Sequence, residues 1–143
     1  MVMSMQIHAS CAARNGEGVL LLGPPGSGKS DLTLRLIDRG FVLVADDRVD
    51  IEDGHASPPA ALAGLLEVRG LGILRLPHLP RARLALAVEL GDDGPRLPEQ
   101  RTHATGAPLI RLDARPASAA QRVDLALDCA LGRQDQLAGA FAS

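Results

Sequence analysis

The chain has 143 residues, which is enough for one domain with a real core and too few for two. A net charge of −2 and 1% aromatic residues argue against binding nucleic acid through a basic groove or a base-stacking platform. No apolar run approaches transmembrane length, and residues 1–6 lack the pattern of a signal peptide. We therefore expect one domain, residues 1–143, in the cytoplasm and not inserted in a membrane. Cys11 and Cys129 match no metal spacing and predict free, buried thiols.

The first predicted element is a β-hairpin. Residues 7–13 are typical of a strand, Asn15-Gly16 is a strong turn signal, and residues 18–22 predict the returning apolar strand. His8 would lie on the first arm of this hairpin. Taken alone, a single His on a strand favours a structural role.

The returning strand leads directly into a glycine-rich motif that fits G-x-x-x-x-G-K-[ST] between a strand and a helix. Its residues are Gly23, Pro24, Pro25, Gly26, Ser27, Gly28, Lys29 and Ser30. The glycines let backbone N–H groups point at phosphate oxygens, and the start of the following helix adds positive potential. Lys29 supplies a mobile charge for the β and γ phosphates, and the Ser30 hydroxyl is placed to bind Mg²⁺. An empty glycine-rich turn would need neither side chain, so the motif predicts a nucleotide site.

A helix over residues 31–39, stopped by Gly40, and a buried parallel strand over residues 41–45 come next. This strand ends on Asp46-Asp47 and is expected to neighbour the strand before the P-loop, at the sheet edge where α/β proteins bind ligands. Phosphoryl transfer to a hydroxyl needs a carboxylate that receives the proton, together with ligands for Mg²⁺. We favour Asp46 as the base, because strand packing would fix its direction, and expect Asp47 to turn toward the metal. The alternative is that Asp46 and Asp47 have no catalytic role and only begin a solvated loop.

The second half of the chain contains fewer motifs. Residues 54–64 predict a loop, residues 65–76 a strand and turn interrupted by two glycines, and residues 84–90 a strand. Residues 91–108 predict a mobile loop, and a helix is expected to open at a Ser118 capping box. Glu67 and Arg69 would lie on one side of an extended segment, where they could serve Mg²⁺ and a phosphate. A surface ion pair between them is an equally good interpretation.

Together these residues resemble the catalytic domain of HPr kinase/phosphorylase, which phosphorylates a serine of the phosphocarrier HPr and can remove that phosphate. The resemblance rests on the P-loop, on the sequence LVADD at residues 43–47, on LEVRGLGI at residues 66–73, and on the spacing from His8 to Gly23. It implies an α/β P-loop kinase domain with a mixed, largely parallel central sheet flanked by helices, related to PEP-carboxykinase. It also implies ATP and Mg²⁺ as cofactors, an HPr-like phosphocarrier of a phosphotransferase system as substrate, and a homo-oligomer, a hexamer in the family.

The resemblance also implies roles for single residues. Lys29 would bind nucleotide phosphates, Ser30 and Glu67 would hold Mg²⁺, and the base would be one of the two aspartates, with His8 nearby. Three arginines are further catalytic candidates: Arg69 in the signature segment, Arg96 where the family has a catalytic Arg, and Arg115.

Arg115-Pro116 matches the start of the family's P-V-R-P-G-R-N loop, which is tied to dephosphorylation. Here Ala117-Ser118-Ala119 replaces its Gly-Arg-Asn. We therefore expect kinase activity with weak or absent phosphorolysis. The family's usual N-terminal domain has no counterpart in this sequence, which predicts a minimal form.

Two other functions stay open on the sequence. A small-metabolite kinase of the shikimate-kinase kind also has a P-loop followed by acidic residues, but this chain has no Gly-Gly pair for the substrate-binding turn. A non-catalytic nucleotide switch would bind nucleotide without transferring phosphate. The guanine-specific N-K-x-D is absent, since Asn15 is the only Asn.

Overall fold

A computed structural model describes residues 4–142 of the chain. Residues 1–3 and Ser143 lie outside the described part. The signal-peptide prediction for residues 1–6 falls partly on these residues. The described part contains ten strands and two α-helices. The strands are β1 (Ser4–His8), β2 (Ser10–Arg14), β3 (Glu17–Leu22), β4 (Val42–Ala45), β5 (Arg48–Glu52), β6 (His55–Ser57), β7 (Leu65–Val68), β8 (Gly72–Arg75), β9 (Ala82–Leu90) and β10 (Leu109–Leu112). The helices are α1 (Lys29–Asp38) and α2 (Ala119–Ala130), with a short 3₁₀ turn at Ala60–Leu62.

One large sheet organises the fold, with the strand order β1-β5-β6-β9-β3-β2-β4 and β10 added beside β9. Strands β7 and β8 form a separate hairpin. The predicted α/β class with a mixed sheet is confirmed. Parallel pairing is confined to β3 with β9 and β9 with β10, and the other pairs of the large sheet are antiparallel. The parallel part is thus the part that contains the strand leading into the P-loop.

The predicted hairpin is present, but His8 does not belong to it. Strands β2 and β3 pair across Asn15 and Gly16, whose φ angles of 51° and 79° are those of a tight hairpin turn. The chain changes partners at Ala9, where its N–H donates to Asp47 O at 3.3 Å. His8 therefore lies on the preceding strand β1, opposite Arg48 of β5.

Strand β4 forms where it was predicted, yet the prediction that it neighbours the P-loop strand is wrong. Strand β2 lies between β3 and β4 and is antiparallel to both. Since β3 and β4 then run in the same direction, their carboxyl ends still meet one edge of the sheet. The two aspartates after β4 consequently reach the P-loop edge without direct pairing of β3 with β4.

Both predicted helices are present, with differences at their starts. Helix α1 begins at Lys29, two residues before the predicted start, and buries Leu32 and Leu36 completely. Ser118 precedes α2 but makes no capping hydrogen bond with its side chain, so the capping-box prediction is wrong. Its φ and ψ of −82° and 2° are near-helical, whereas a capping residue uses an extended backbone to reach the next free N–H groups.

The remaining predictions were partly confirmed. Residues 65–76 form the β7–β8 hairpin, and the predicted strand at 84–90 is the longer β9. Strands β5, β6 and β10 were missed, and β6 lies within the predicted loop over residues 54–64. The four residues of β10 follow a loop rich in Gly, Pro and Thr and show no clear alternation. Cys11 is buried, which raises the pKa of its thiol to about 12, and Cys129 is partly exposed; both are free. In the described part, no helix is long and apolar enough to cross a bilayer.

Alternating strand residues fill two hydrophobic clusters, one on each face of the sheet. Val19 and Leu21 of β3 face α1 and α2, where they pack with Leu32 and Leu127. Leu20, between them in the chain, belongs to the opposite cluster, with residues from β2, β4, β5 and β9. The central strands, including the one that leads into the P-loop, are therefore buried on both faces.

A cluster of ion pairs holds the end of α1 that lies away from the P-loop. Arg14, at the end of β2, pairs with Asp124 and with Asp128, the latter at 2.5 Å. Asp124 also accepts a hydrogen bond from Arg39 at 2.8 Å. The guanidinium of Arg14 stands 5.8 Å from the ring centroid of Phe41. Asp124 thus joins α2 to both β2 and α1.

We predict that Asp124→Asn lowers the free energy of unfolding by about 1–3 kcal/mol, because two guanidinium groups lose a shared, largely enclosed carboxylate. Only 21% of the Asp124 side chain is exposed, so solvent screening is incomplete. Urea unfolding of the variant and the wild-type chain measures the difference. Asp135→Asn, at an exposed position, is the matched control, and equal losses in the two variants would contradict the prediction.

Candidate active site

The P-loop connects the end of β3 to the start of α1, as the motif predicts. Gly26 and Gly28 have φ angles of 81° and 97°, which side chains rarely adopt. At Gly23 a Cβ atom would lie 2.5 Å from Ser27 Oγ, so this position also requires glycine. The loop closes on itself through the hydrogen bond from Ser27 N to Pro24 O, at 3.1 Å. Its backbone is therefore curled into the shape that the motif needs.

Two side chains of the loop, Lys29 and Ser27, could donate hydrogen bonds to phosphate oxygens. Lys29 Nζ donates to Gly23 O at 2.7 Å and to Pro24 O at 3.1 Å, so the ammonium folds over its own loop. Ser27 Oγ is buried and has no hydrogen-bond partner among residues 4–142. A buried hydroxyl without a partner costs about 1–3 kcal/mol. These residues therefore fit a phosphate group, which would accept from both side chains.

Asp46 connects the P-loop to the sheet. Its carboxylate is nearly buried, and its Oδ1 accepts hydrogen bonds from Ser30 Oγ at 2.9 Å and from Ser10 Oγ at 2.6 Å. With its proton committed to Asp46, the Ser30 oxygen presents its lone pairs outward, as a ligand of Mg²⁺ must. Ser10 was missed in the sequence. The only signal was a hydroxyl in an otherwise apolar strand.

Asp47 has a different environment from that of its neighbour. It is exposed, and its φ of 71° places it in a turn in which Arg48 N donates to Asp46 O at 2.8 Å. His8 is close by, since the next residue, Ala9, bonds to the Asp47 carbonyl. The structure thus brings His8, Asp46 and Asp47 to one edge, where Asp46 is engaged with Ser30 and Asp47 is accessible. The division of roles between the two aspartates stays a prediction.

Glu67 and Arg69 lie on the β7–β8 hairpin, beside the P-loop helix. Strand β7 lies next to α1, and the chain after β8 returns along β4, where Leu79 N donates to Leu43 O at 2.8 Å. Leu66 is fully buried, and Glu67 and Arg69 are exposed. The alternative ion pair between these two residues is not formed in the described structure.

Magnesium could be held only in part by the protein. No group of three or more His, Cys, Asp or Glu residues gathers in the described part of the chain. Mg²⁺ in kinases is bound through one or two carboxylates together with substrate phosphates, so Ser30 and Asp46 fit that chemistry. The role of Glu67 as a metal ligand stays a prediction.

The two remaining arginines have different positions. Arg96 lies in the exposed segment between β9 and β10, and its catalytic role stays a prediction. Arg115 lies against the P-loop, on the wall of a cavity of about 370 Å³. The other lining residues are Gly26, Ser27, Gly28, Asp31, Arg35 and Ala114.

A hydrogen bond from the Arg115 guanidinium holds the pKa of the Asp113 carboxyl below its ordinary value. This ion pair therefore persists at neutral pH and is lost as the pH falls through that lowered pKa.

Comparison with known proteins agrees with this arrangement. The model of the HPr Serine kinase C-terminal domain family matches residues 1–80. The chain belongs to this family. A similar curated protein is the HPr kinase/phosphorylase of Clostridium tetani, 45% identical over 78 residues, which cover 52% of this chain and 26% of the relative. That of Clostridium novyi is 50% identical over 78 residues, covering 52% and 25%, and that of Geobacillus thermodenitrificans is 40% identical over 96 residues, covering 59% and 31%.

The matched segment thus spans less than a third of the length of these curated relatives. A solved structure extends the likeness. The Hpr(Ser) kinase/phosphatase from Coxiella burnetii superposes with a TM-score of 0.69 at 26% identity, covering 86% of this chain and 87% of that chain. The shared fold therefore continues beyond residue 80, where the family match ends.

We predict that Ser10→Ala raises the Mg²⁺ concentration needed for half-maximal nucleotide binding roughly 3–10-fold, as expected for the loss of one hydrogen bond to a carboxylate. The Asp46 carboxylate would then be held by Ser30 alone, so its orientation toward Mg²⁺ would be less well fixed. Titration of Mg²⁺ at constant nucleotide measures the effect. Ser57→Ala, on β6, is the control, and an unchanged Mg²⁺ requirement in Ser10→Ala would contradict the role of Ser10.

Proposed function

We propose that this chain is an ATP-dependent serine kinase that phosphorylates an HPr-like phosphocarrier protein of a phosphotransferase system. The observation that carries the proposal is the hydrogen bond from Ser30 to Asp46 beside the exposed Asp47, at the mouth of a curled P-loop. Family membership supports the choice of a phosphocarrier as the acceptor. The similar curated proteins are HPr kinase/phosphorylases, which supports the same choice.

Binding of ATP would begin with the exchange of hydrogen bonds at the P-loop. The backbone N–H groups of the loop and the start of α1 present positive potential to the phosphates. Lys29 would leave the carbonyls of Gly23 and Pro24 for the β and γ phosphates, and Ser27 would donate its unpaired hydroxyl. Ser30 and Asp46, with Glu67 as a further ligand, would hold Mg²⁺. When bound, this ion neutralises charge that develops on the transferred phosphate.

Asp47, and not Asp46 as expected from the sequence, would act as the base. As the oxygen of the acceptor serine bonds to the γ phosphorus of ATP, the bond from that phosphorus to the β–γ bridging oxygen breaks and ADP leaves. The serine hydroxyl loses its proton in this step, and a carboxylate within hydrogen-bond reach can accept it. Asp47 is exposed where an acceptor protein could approach, whereas Asp46 is nearly buried and already accepts two hydrogen bonds. His8, next to this turn, would help to orient the incoming serine. Arg69 and Arg96 would contact phosphate or the acceptor.

The reverse reaction is proposed to be weak. Phosphorolysis requires a second anion beside the first, and the residues after Arg115-Pro116 are Ala117-Ser118-Ala119, which offer no further cation for it. We also propose a cytoplasmic location and a homo-oligomer, a hexamer by resemblance to the family.

The proposal predicts that the chain transfers phosphate from ATP to a serine of an HPr-like carrier, and that Lys29→Ala lowers this transfer at least about 10²-fold, because a phosphate charge loses its counter-charge. Transfer is measured with labelled ATP and Mg²⁺, and mass spectrometry locates the phosphate. Arg133→Ala, an exposed cation outside the P-loop, is the control. The same mixture with phospho-carrier and inorganic phosphate should release little pyrophosphate.

Several outcomes would count against the proposal. Nucleotide binding without transfer to any protein would favour a switch. Labelled phosphate on a small metabolite would favour a metabolite kinase. Unchanged transfer in Lys29→Ala would remove the P-loop from the mechanism.

Substitutions should distinguish the roles of the two aspartates. We expect Asp47→Asn to lower the transfer rate about 10²–10⁴-fold with nucleotide affinity nearly unchanged, since the amide keeps the size of the side chain but cannot accept the proton. Asp46→Asn should chiefly raise the Mg²⁺ requirement. Transfer rates and nucleotide affinities, measured for both variants over a range of Mg²⁺ concentrations, decide the order. Loss of transfer in Asp46→Asn at saturating Mg²⁺, with Asp47→Asn active, would reverse it.

A further inference from the structure

Arg115 is held along one edge of its guanidinium by Asp113. Its Nε donates to Asp113 Oδ1 at 3.0 Å and its Nη2 donates to Oδ2 at 2.9 Å. The backbone N–H of Arg115 also donates to Asp113 Oδ1, at 2.9 Å. Asp113 therefore fixes both the turn of the chain and the side chain that leaves it. Nη2 also makes a longer contact, at 3.5 Å, with Asp92 Oδ1. These contacts use Nε and Nη2 and leave Nη1 without a hydrogen bond to the described residues.

Arg35 fixes the same loop to the helix that follows the P-loop. Its Nη2 donates to Ala114 O at 2.5 Å and its Nη1 donates to Pro116 O at 3.3 Å. The Nε of Arg35 lies 3.1 Å from Asp31 Oδ2, one turn earlier on α1. Since α1 begins at Lys29, the loop around Arg115 and the P-loop are fixed to one rigid element.

The resulting wall faces the cavity beside Gly26 and Gly28. The Asp113 side chain is 17% exposed and that of Arg115 is 80% exposed, so the carboxylate lies beneath the guanidinium and the cation faces outward. An arginine held through one edge keeps donors on the other edge, and its planar fork matches the oxygens of a phosphate. Holding it in advance reduces the conformational entropy lost on binding.

We propose that Asp113 and Arg35 are positioning residues that fix Arg115 on the cavity wall so that it binds the phosphates of the nucleotide held by the P-loop. This inference rests on the proposed function, since it assigns a second cation, in addition to Lys29, to the same nucleotide. Alignment of Arg115-Pro116 with the R-P of the P-V-R-P-G-R-N loop puts Asp113 at the first Pro of that motif. The hydrogen-bonded hold on Arg115 is thus a feature of this chain and not of the motif.

The test measures affinity for ATP and for inorganic tripolyphosphate in wild type, Arg115→Ala, Asp113→Asn and the double variant, all with Mg²⁺. Arg115→Ala should weaken both ligands about 10-fold or more, as expected for a charge-assisted hydrogen bond. Asp113→Asn should weaken both about 3–10-fold, because the amide keeps the size of the side chain but cannot form the two-pronged ionic contact. In the double variant, the affinity should equal that of Arg115→Ala alone, since Asp113 acts through Arg115.

A variant of Arg35 and a set of control variants complete the experiment. Arg35→Ala should reproduce the affinity loss of Asp113→Asn, again only when Arg115 is present. Arg133→Ala and Asp50→Asn, which change an arginine and an aspartate that do not line the cavity, should leave both affinities unchanged. Asp113→Glu, which restores a carboxylate, should recover part of the loss. Thermal unfolding of each variant reports folding separately.

The outcomes distinguish this inference from the proposed function. If Lys29→Ala weakens ATP binding and neither Arg115→Ala nor Asp113→Asn weakens it, this inference is overturned and the kinase proposal stands. Weakened ATP binding with unchanged tripolyphosphate binding would assign Arg115 to the base or the ribose and overturn the phosphate role. Additive losses in the double variant would show that Asp113 does not act through Arg115. Wild-type protein that binds neither ligand would overturn both proposals.

Discussion

The hydrogen bonds that Asp46 accepts from Ser30 and Ser10 are the interaction on which the rest of the site depends. A nearly buried carboxylate is stable only when hydrogen-bonded, and here both donors come from other elements. Ser30 belongs to the first turn of α1 and Ser10 to the start of β2. One side chain therefore fixes the P-loop helix, the end of β4 and the change of strand partner at Ala9 relative to one another.

The topology explains why this arrangement is possible. Strand β2 lies between β3 and β4, so its first residues stand at the same edge as the carboxyl ends of those two strands. A βαβ unit with β3 beside β4 would put the aspartates there too, but it would leave no strand from which Ser10 could reach Asp46. The antiparallel insertion of β2 thus supplies a buried hydroxyl, and the chain just before it supplies His8.

Features specified within a few residues could be predicted from the sequence. The P-loop needs only its glycines, Lys29 and Ser30 at fixed offsets, and the Asn15-Gly16 turn needs only backbone conformations that these two residues tolerate. Features set by distant contacts could not. His8 was assigned to the wrong strand because the change of partner at Ala9 depends on Asp47. Ser10 and Arg35 were missed because their partners lie 36 and 79 residues away. Asp113 was missed although Arg115 is only 2 residues away, because their contact depends on how the turn around Ala114 is folded.

Helix α1 is held at both ends, which limits what nucleotide binding can move. At its start, Ser30 is hydrogen-bonded to Asp46, and in its last turn Arg35 is hydrogen-bonded to the loop after β10. At its end, Arg39 joins the Asp124 ion pairs. A helix fixed in this way, with Leu32 and Leu36 fully buried, does not shift by small steps, because packed interfaces resist continuous deformation. The adjustment to a bound nucleotide then falls on side chains with weaker or exposed contacts: Lys29, which can exchange carbonyls for phosphates, and Asp47, which faces solvent where an acceptor would arrive.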